Sequence, residues 1–263
     1  MNKLGILNHY KDFIDSEGVF LKTLDQLSDA ATYFEPQMTD FLSPDLSFIF
    51  DCIAKEERQV IIEKNGGFKN AERVKLCFYP SFLDVLPFED HISVIQIDYN
   101  DKFNKLEHKD ALGALMAMGI QRKKIGDIIV SEGAIQVAID SSLESYFLNS
   151  IEKIGRAGVK MKVVSTDSLF DKQIEYRKAV GTVKSIRLDS IVAMGLNLSR
   201  SEAQKLIGSE LVKVNHRVQI NTSFELKVGD LISVRKHGRF IVESILGQTK
   251  KDRIRVELSF YSR

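Results

Sequence analysis

The run "SIRLDSIVAMGLNLSRSEAQKLI" (185–207) contains an aspartate whose neighbours could support chemistry. Arg187 and Leu188 precede Asp189, and Gly195-Leu196 follow a few residues later. An ionised aspartate held on a turn can act as a nucleophile and form a covalent intermediate. At the start of a helix the same carboxylate would only interact favourably with the positive end of the helix dipole. The two hypotheses require different elements around Asp189.

The enzymatic hypothesis depends on a resemblance to the catalytic loop of pseudouridine synthases, R-L-D-x-x-[ST]-x-G-L. Five residues rather than four separate Asp189 from Gly195, and Val192 stands where that loop has Thr or Ser. The chain ends too soon after Leu196 to build the catalytic barrel of that family, and the preceding segments lack its strand-rich pattern. We therefore predict a non-enzyme and keep an RNA-modifying enzyme of this type as an alternative.

Helical periodicity accounts for the run better. Asp189 falls near the start of a first helix, where we expect it to pair with a nearby arginine. Ser199 and Glu202 have the spacing of a capping box, which predicts the start of a second helix, and Gly208 ends it. The apolar residues that follow helix spacing in the first helix are Leu188, Ile191, Val192 and Leu196.

The second helix and the hairpin after it predict a surface that binds RNA. "LVKVN" and "RVQI" form the hairpin, with Asn215 and His216 at its tip. Arg200 adds a cation to the free N–H groups of a helix N-terminus, which favours phosphate. Taken alone, each residue is better explained as a solvated surface group, so the prediction depends on their convergence. The predicted RNA-binding residues are Arg187, Ser199, Arg200, Ser201, Gln204, Lys205, Lys213, Asn215, His216 and Arg217.

Charge is unevenly distributed along the chain. The formal net charge is +1, but residues 181–263 carry fifteen Lys and Arg against eight Asp and Glu. Residues 1–80 carry nine against thirteen, and residues 81–180 carry thirteen against fifteen. This asymmetry favours one polyanion-binding segment attached to segments that do not bind polyanions by bulk charge.

Four separated motifs occur in order in the basic segment, and they are Arg187-Leu188-Asp189, Ser199-Arg200-Ser201-Glu202-Ala203, Leu211-Val212-Lys213-Val214-Asn215 and Val228-Gly229-Asp230. Together they resemble the S-four RNA-binding domain, named after small-subunit ribosomal protein four, over about 182–245. The resemblance implies a helix-and-hairpin surface that packs on folded RNA, mainly through phosphate and shape contacts.

The middle segment, 81–165, has the order strand, helix, strand, strand, helix, strand, which predicts a ferredoxin-like (RRM-like) βαββαβ domain. The second helix is expected in "LESYFLNSIEKIG", with a capping box from Ser141 and Glu144. The third strand, "AIQVAID", lacks the aromatic residues on which an RRM stacks bases. If this domain meets RNA, we expect the contact at Arg122, Lys123 and Lys124, although a solvated turn explains these cations equally well.

The first segment, 1–80, is predicted to fold as helices followed by two strands around Gly66-Gly67, with Ser43 and Pro44 starting one helix. No chemical motif occurs there, so a scaffold or protein-contact role is expected. A linker is predicted over 166–181 and the S-four-type (αL-like) domain, with a C-terminal strand extension, over 182–263. The whole chain is thus assigned to the α+β class.

The last strand, "KDRIRVELSFY", alternates between cations and apolar residues. Lys251, Arg253 and Arg255 are predicted on one face. They could extend the RNA footprint or keep an edge strand soluble.

Composition favours a cytoplasmic protein. The N-terminus lacks the features of a secretory signal. The longest apolar run, "ALGALMAMGI" (111–120), is far shorter than the roughly 20 residues that span a bilayer. Cys52 and Cys77 have no CxxC spacing and no nearby histidine, so buried thiols are expected. No metal and no cofactor are predicted.

Four features follow one another along nearly the whole chain, and they are "FLSP", "GGF…AERVKLCFYP", "HKDALGALMAMGIQRKKIGDIIV" and the terminal S-four-type domain. With these features the chain resembles the bacterial YlmH family. The resemblance implies a non-catalytic RNA-binding protein on the large ribosomal subunit, in quality control of stalled nascent chains. Ribosomal RNA and transfer RNA are the implied partners, and the protein is expected to be a monomer. A protein-interaction scaffold is the remaining alternative.

Overall fold

The computed structural model describes residues 3–10, 14, 16–55, 59–83, 88, 91–171, 176–215 and 217–261. The chain divides into two units, which are residues 1–172 and residues 173–263. Helices and strands occur in both units, as the assignment to the α+β class requires. No helix in the described ranges is long and apolar enough to cross a membrane.

Three helices and a small antiparallel sheet form the N-terminal part of unit 1. Pro44 is the first residue of α3, and the Ser43 side chain accepts a hydrogen bond from Leu46 N, as predicted. Strand β3 lies between β1 and β2, and the helices cover this sheet with a core that includes Phe20, Phe50 and Phe78. The elements are α1 (Lys3–Tyr10), α2 (Glu17–Tyr33), β1 (Gln37–Met38), α3 (Pro44–Ala54), β2 (Val60–Asn65) and β3 (Lys75–Pro80).

The second half of unit 1 has the predicted βαββαβ order. Its sheet runs β5-β6-β4-β8-β7 with every neighbouring pair antiparallel, which is the strand order of a ferredoxin-like fold plus one short edge strand. Helices α4 and α5 cover one face of it. The elements are β4 (Ile92–Tyr99), α4 (His108–Ala117), β5 (Ile125–Ser131), β6 (Ala134–Asp140), α5 (Glu144–Ser150), β7 (Lys153–Ile154) and β8 (Ala157–Val164).

Helix α5 is shorter than predicted from the sequence, and the predicted capping box of Ser141 and Glu144 at its start was wrong. The Asp140 side chain accepts from Ser142 N and starts a 3-10 turn, and the Glu144 carboxylate accepts from Ser93 Oγ on β4 at 2.6 Å. Ile154 pairs with Ala157 in the β7–β8 hairpin. This pairing takes residues after Ser150 out of the helix, although the side chains remain in the core.

Unit 2 contains two helices on a six-stranded antiparallel sheet of order β11-β10-β12-β13-β14-β9. Strand β14 lies between β13 and β9 and is therefore not an edge strand, so the alternative that its cations keep an edge strand soluble does not apply. The elements are β9 (Tyr176–Val183), α6 (Leu188–Leu196), α7 (Arg200–Gly208), β10 (Val212–Val214), β11 (Arg217–Val218), β12 (Leu231–Val234), β13 (Gly238–Gln248) and β14 (Ile254–Tyr261).

The core of unit 2 fixes the position of α6. Leu188, Ile191 and Val192 are wholly buried against the sheet. Backbone bonds from Leu188 N to Phe224 O and from Asp189 N to Thr222 O hold the first turn of the helix. The helix therefore presents Asp189 to the start of α7 in a fixed place.

Candidate nucleic-acid interface

Asp189 is the centre of a polar cluster at the start of α6 and α7. Its side chain is 0% exposed. It accepts from Arg200 Nε at 3.0 Å and from Gln204 Nε2 at 2.9 Å. Longer bonds arrive from Arg187 Nε at 3.3 Å and from Ser190 Oγ at 3.3 Å. We call Asp189, Arg187, Arg200 and Gln204 the Asp189 cluster.

The electrostatics of the cluster keep Asp189 ionised. Burial alone would raise the pKa of Asp189. The hydrogen bonds from Arg200 and Gln204 and the charges of Arg200 and Arg187 outweigh burial, so this pKa is lowered. A wholly buried carboxylate whose oxygens accept from two guanidinium groups is an anchor for those groups. It has no open side from which to attack a substrate.

Helix α7 begins with the predicted capping box. Ser199 Oγ accepts from Glu202 N at 3.2 Å, and Glu202 Oε2 accepts from Ser199 N at 2.8 Å. Hydrogen bonds from Ser199 to the exposed Glu202 carboxylate lower the pKa of Glu202. Ser199 Oγ also lies 3.1 Å from Ser201 Oγ. The Ser199 hydroxyl thus caps the N-terminus of α7, where Arg200 is the first helical residue.

The Asp189 cluster orients Arg200 without hiding it. The Arg200 side chain is 53% exposed, although its Nε and Nη2 face Asp189. Gln204 lies one turn after Arg200 and faces the same carboxylate, whereas exposed Lys205 shares a face with Ser201. Arg200 therefore offers a positioned guanidinium edge at a helix N-terminus, and Ser201 and Lys205 add a hydroxyl and a cation on the neighbouring face of that helix.

The hairpin residues fall into different roles. Asn215 Nδ2 donates to Asp230 Oδ1 at 2.8 Å, and Asn215 Oδ1 accepts from Leu231 N at 2.9 Å. Asn215 therefore ties the hairpin to the Val228–Asp230 turn. The register of β10 and β11 pairs Lys213 with Val218 and Arg217 with Val214, so the two cations lie on opposite faces of the ladder. His216 lies outside the described residues.

The cations of the 122–124 turn contact the protein itself. Lys124 Nζ lies 2.9 Å from Asp40 Oδ1 and 2.8 Å from Asp140 Oδ2, and Lys123 Nζ lies 3.8 Å from Asp40. Arg122 Nη1 donates to the carbonyls of Ile125 and Gly126. Their role in RNA binding stays a prediction, and each would have to serve RNA in addition to these partners.

The cations near the C-terminus are placed differently from one another. Lys251 is exposed in the turn before β14, and Arg255 is exposed on the strand. Arg253 is half-buried and donates from Nε to Thr182 Oγ1 at 3.0 Å and from Nη2 to Thr182 O at 2.6 Å. Arg253 thus joins the turn to β9.

The open face of the ferredoxin-like sheet is covered, which no local sequence pattern predicts. Phe41 and Phe68 pack on Val94 and Ala138 of that face. Gln136, which is 0% exposed, donates to Ser168 O at 2.8 Å and accepts from Phe170 N at 2.7 Å. An RRM binds bases on this face. Here much of it is occupied by the protein's own chain.

Comparisons with known proteins agree with this arrangement. Residues 88–168 match the family described as "Putative RNA-binding domain in YlmH", and residues 186–232 match the family "S4 domain". "Ribosome-associated protein quality control protein P2" of Bacillus subtilis (strain 168) is 30% identical over 248 residues, or 94% of this chain and 96% of the relative.

A solved structure is also similar. The "Cell division protein ylmH from Streptococcus pneumoniae" shares 26% identity with a TM-score of 0.51, covering 60% of this chain and 96% of that chain. The match to the relative from Bacillus subtilis covers nearly all of both chains. The two domain families match in the order in which the ferredoxin-like domain and unit 2 follow one another along the chain. The chain belongs to the YlmH family of RNA-binding proteins, with an S4 domain in its C-terminal unit.

Proposed function

We propose that this protein is a non-catalytic, cytoplasmic, monomeric RNA-binding protein of the large ribosomal subunit that acts in quality control of stalled nascent chains. Ribosomal RNA is the proposed principal ligand, and transfer RNA a further one. The observation that carries the proposal is the Asp189 cluster, which fixes Arg200 at the start of α7 within the S4 match. Support also comes from the relative whose name places it on the ribosome.

The proposed contact uses phosphate more than base edges. A guanidinium held on one side by a carboxylate keeps a free edge in a fixed direction, so little conformational entropy is lost when it meets a phosphate. Ser201 and Lys205 lie one turn apart on the neighbouring face of the same helix. Such a surface reads the shape and backbone of folded RNA, as expected for ribosomal RNA.

The test is the double variant Arg200→Ala with Lys205→Ala. We expect about tenfold weaker binding to large ribosomal subunits in gradient sedimentation. The dependence of log K on log salt should become shallower by about one unit for each lost phosphate contact. Arg200→Lys keeps the charge and loses the planar fork, so its affinity for large ribosomal subunits should lie between that of the wild type and that of the double variant.

The matched control is Arg235→Ala with Lys250→Ala, which removes the same two charge types from exposed positions of unit 2. Far-ultraviolet circular dichroism and thermal melting of each variant check that the fold is kept. Unchanged binding of a folded Arg200/Lys205 variant, or an equal loss in the control, contradicts the proposal. Nuclease treatment distinguishes the scaffold alternative, since co-purification through protein contacts should survive loss of RNA.

A further inference from the structure

A second basic feature of unit 2 lies between β9 and α6. It is a cleft of about 430 Å³. We call it the β9–α6 cleft. Its lining comes from the end of β9, from the outer side of α6 and its connection to α7, and from the turn before β14. Its lining includes Thr182, Lys184, Met194, Asn197, Arg200 and Arg253.

The lining of the cleft is strongly cationic. Lys184, Arg200 and Arg253 all contribute to it, and in the described part of the chain no carboxylate does. Hydrogen bonds to the protein fix the position of both guanidinium groups. Asp189 holds Arg200, and the hydroxyl and carbonyl of Thr182 hold Arg253. Two fixed forks and a lysine around one cavity form a preorganised site for an anion such as phosphate.

The cleft also has an apolar side. Val183, Ala193 and Met194 line it, and Val183 belongs to the core of unit 2. Met194 is packed tightly over β9, because a Cβ placed on Gly181 would lie 2.3 Å from Met194 Sδ. A polarizable thioether in a fixed position is a suitable surface for the flat face of a nucleobase. The polar groups of Asn197 and Ser190 lie at the same cavity.

We propose that the β9–α6 cleft takes one unstacked nucleotide of the bound RNA, with its phosphate on Arg253 and Lys184 and its base against Met194. This inference rests on the proposed RNA-binding function and deepens it. The cavity volume is in the range of small-ligand sites, and proteins that recognise RNA commonly bind bases splayed out of loops and bulges. Thr182, Lys184 and Arg253 lie outside residues 186–232 of the S4 match, so that match does not account for these three residues.

The test compares two RNA probes on the full-length protein. One is an RNA hairpin with an unpaired loop, and the other is a blunt RNA duplex of the same number of nucleotides. Lys184→Glu should weaken binding of the hairpin about tenfold and change binding of the duplex much less. Met194→Ala, which keeps every charge, should reduce the preference for the hairpin and leave the salt dependence unchanged.

Lys250→Glu is the control, since it makes the same charge change at an exposed turn residue outside the cleft. Equal losses on hairpin and duplex, or equal losses in the control, would overturn the cleft assignment. If Arg200→Ala with Lys205→Ala weakens ribosome binding while Lys184→Glu has no effect on either probe, the cleft proposal fails and the proposed function stands. Binding of poly-glutamate with no binding of the hairpin would instead make the cleft an acidic-peptide site.

Discussion

At the scale of residues, the aspartate that could have been a nucleophile positions other side chains. Asp189 is enclosed by Arg187, Arg200 and Gln204, and the backbone of α6 is fixed by the core beneath it. The sequence predicted both the pairing of Asp189 with an arginine and the helix start at Ser199. It could not predict that Gln204 joins the cluster, because side-chain direction depends on how two helices cross.

Asp189→Asn should destabilise unit 2 by about 1–3 kcal/mol at pH 7, because two guanidinium groups lose their shared anion. The native pKa of Asp189 is lowered, so the unfolded state binds more protons between the two pKa values and this stabilisation grows with pH there. It is fully present above about pH 4 to 5 and is lost as pH falls through the native pKa. The difference in free energy of unfolding between wild type and Asp189→Asn should therefore be smaller in acid.

Urea unfolding of wild type and Asp189→Asn at pH 7 and at pH 3 measures this difference. The control is Asp98→Asn, which removes a half-exposed carboxylate paired with Lys162 and should cost less than about 1 kcal/mol. A difference between wild type and Asp189→Asn that is the same at both pH values would show that the carboxylate charge contributes nothing.

At the scale of elements, the ferredoxin-like sheet is covered on both faces by other parts of unit 1. Helices α4 and α5 cover one face, and residues around Phe41 and Phe68 cover much of the other. Gly126 on β5 makes this approach possible, because a Cβ there would lie 2.7 Å from Phe41 Cε1 and 3.0 Å from Ala138 Cβ.

Gly126→Ala should therefore destabilise unit 1 by about 1–3 kcal/mol through overpacking. Gly113→Ala is the matched control, because a Cβ at this mid-helix glycine meets nothing within 4 Å. It should stabilise the protein by up to about 1 kcal/mol, since alanine favours the helix and restricts the unfolded chain. Thermal melts of both variants check the prediction, and equal effects of the two substitutions would contradict the tight packing of Phe41.

Local patterns predicted most elements but not how segments cover one another. Period-two and helical spacing sufficed for β4, α4, β5 and β6, and the capping box sufficed for α7. The end of α5 was missed because the β7–β8 hairpin competes with the helix through pairing that a local pattern does not contain. The covered sheet face was missed because the partners of Gln136, which are Ser168 and Phe170, lie 32 and 34 residues further along the chain.

At the scale of the whole molecule, the two halves of unit 1 share buried polar contacts. Lys75, 3% exposed, lies 2.7 Å from Asp140 Oδ2. Arg73 donates to the carbonyls of Ile125 and Phe41, and burial lowers its pKa to about 10. Burial opposes ionisation of Asp140, but hydrogen bonds from Lys124, Lys75 and Ser142 outweigh it and hold the pKa of Asp140 well below its usual range.

These contacts predict that residues 1–80 and 91–165 unfold together. We expect calorimetry of the full chain to give two transitions, one for each unit, and hydrogen exchange to assign them. Lys75→Ala removes one cation from a buried pair and should lower the stability of unit 1 by about 3 kcal/mol. Protection in β2–β3 and in β4–β6 should fall by the same factor, while protection in α6 and α7 should not change.

Lys162→Ala is the control for this experiment, since its pair with Asp98 is exposed and contributes at most about 1 kcal/mol. Three calorimetric transitions would show that the N-terminal segment and the ferredoxin-like domain unfold independently, which contradicts the prediction. A Lys75→Ala variant in which β2 and β3 lose hydrogen-exchange protection while β4–β6 keep it would contradict the prediction as well. Coupled loss instead means that the N-terminal segment belongs to the fold of the ferredoxin-like domain, because the sheet face that it covers is apolar and would be exposed without it.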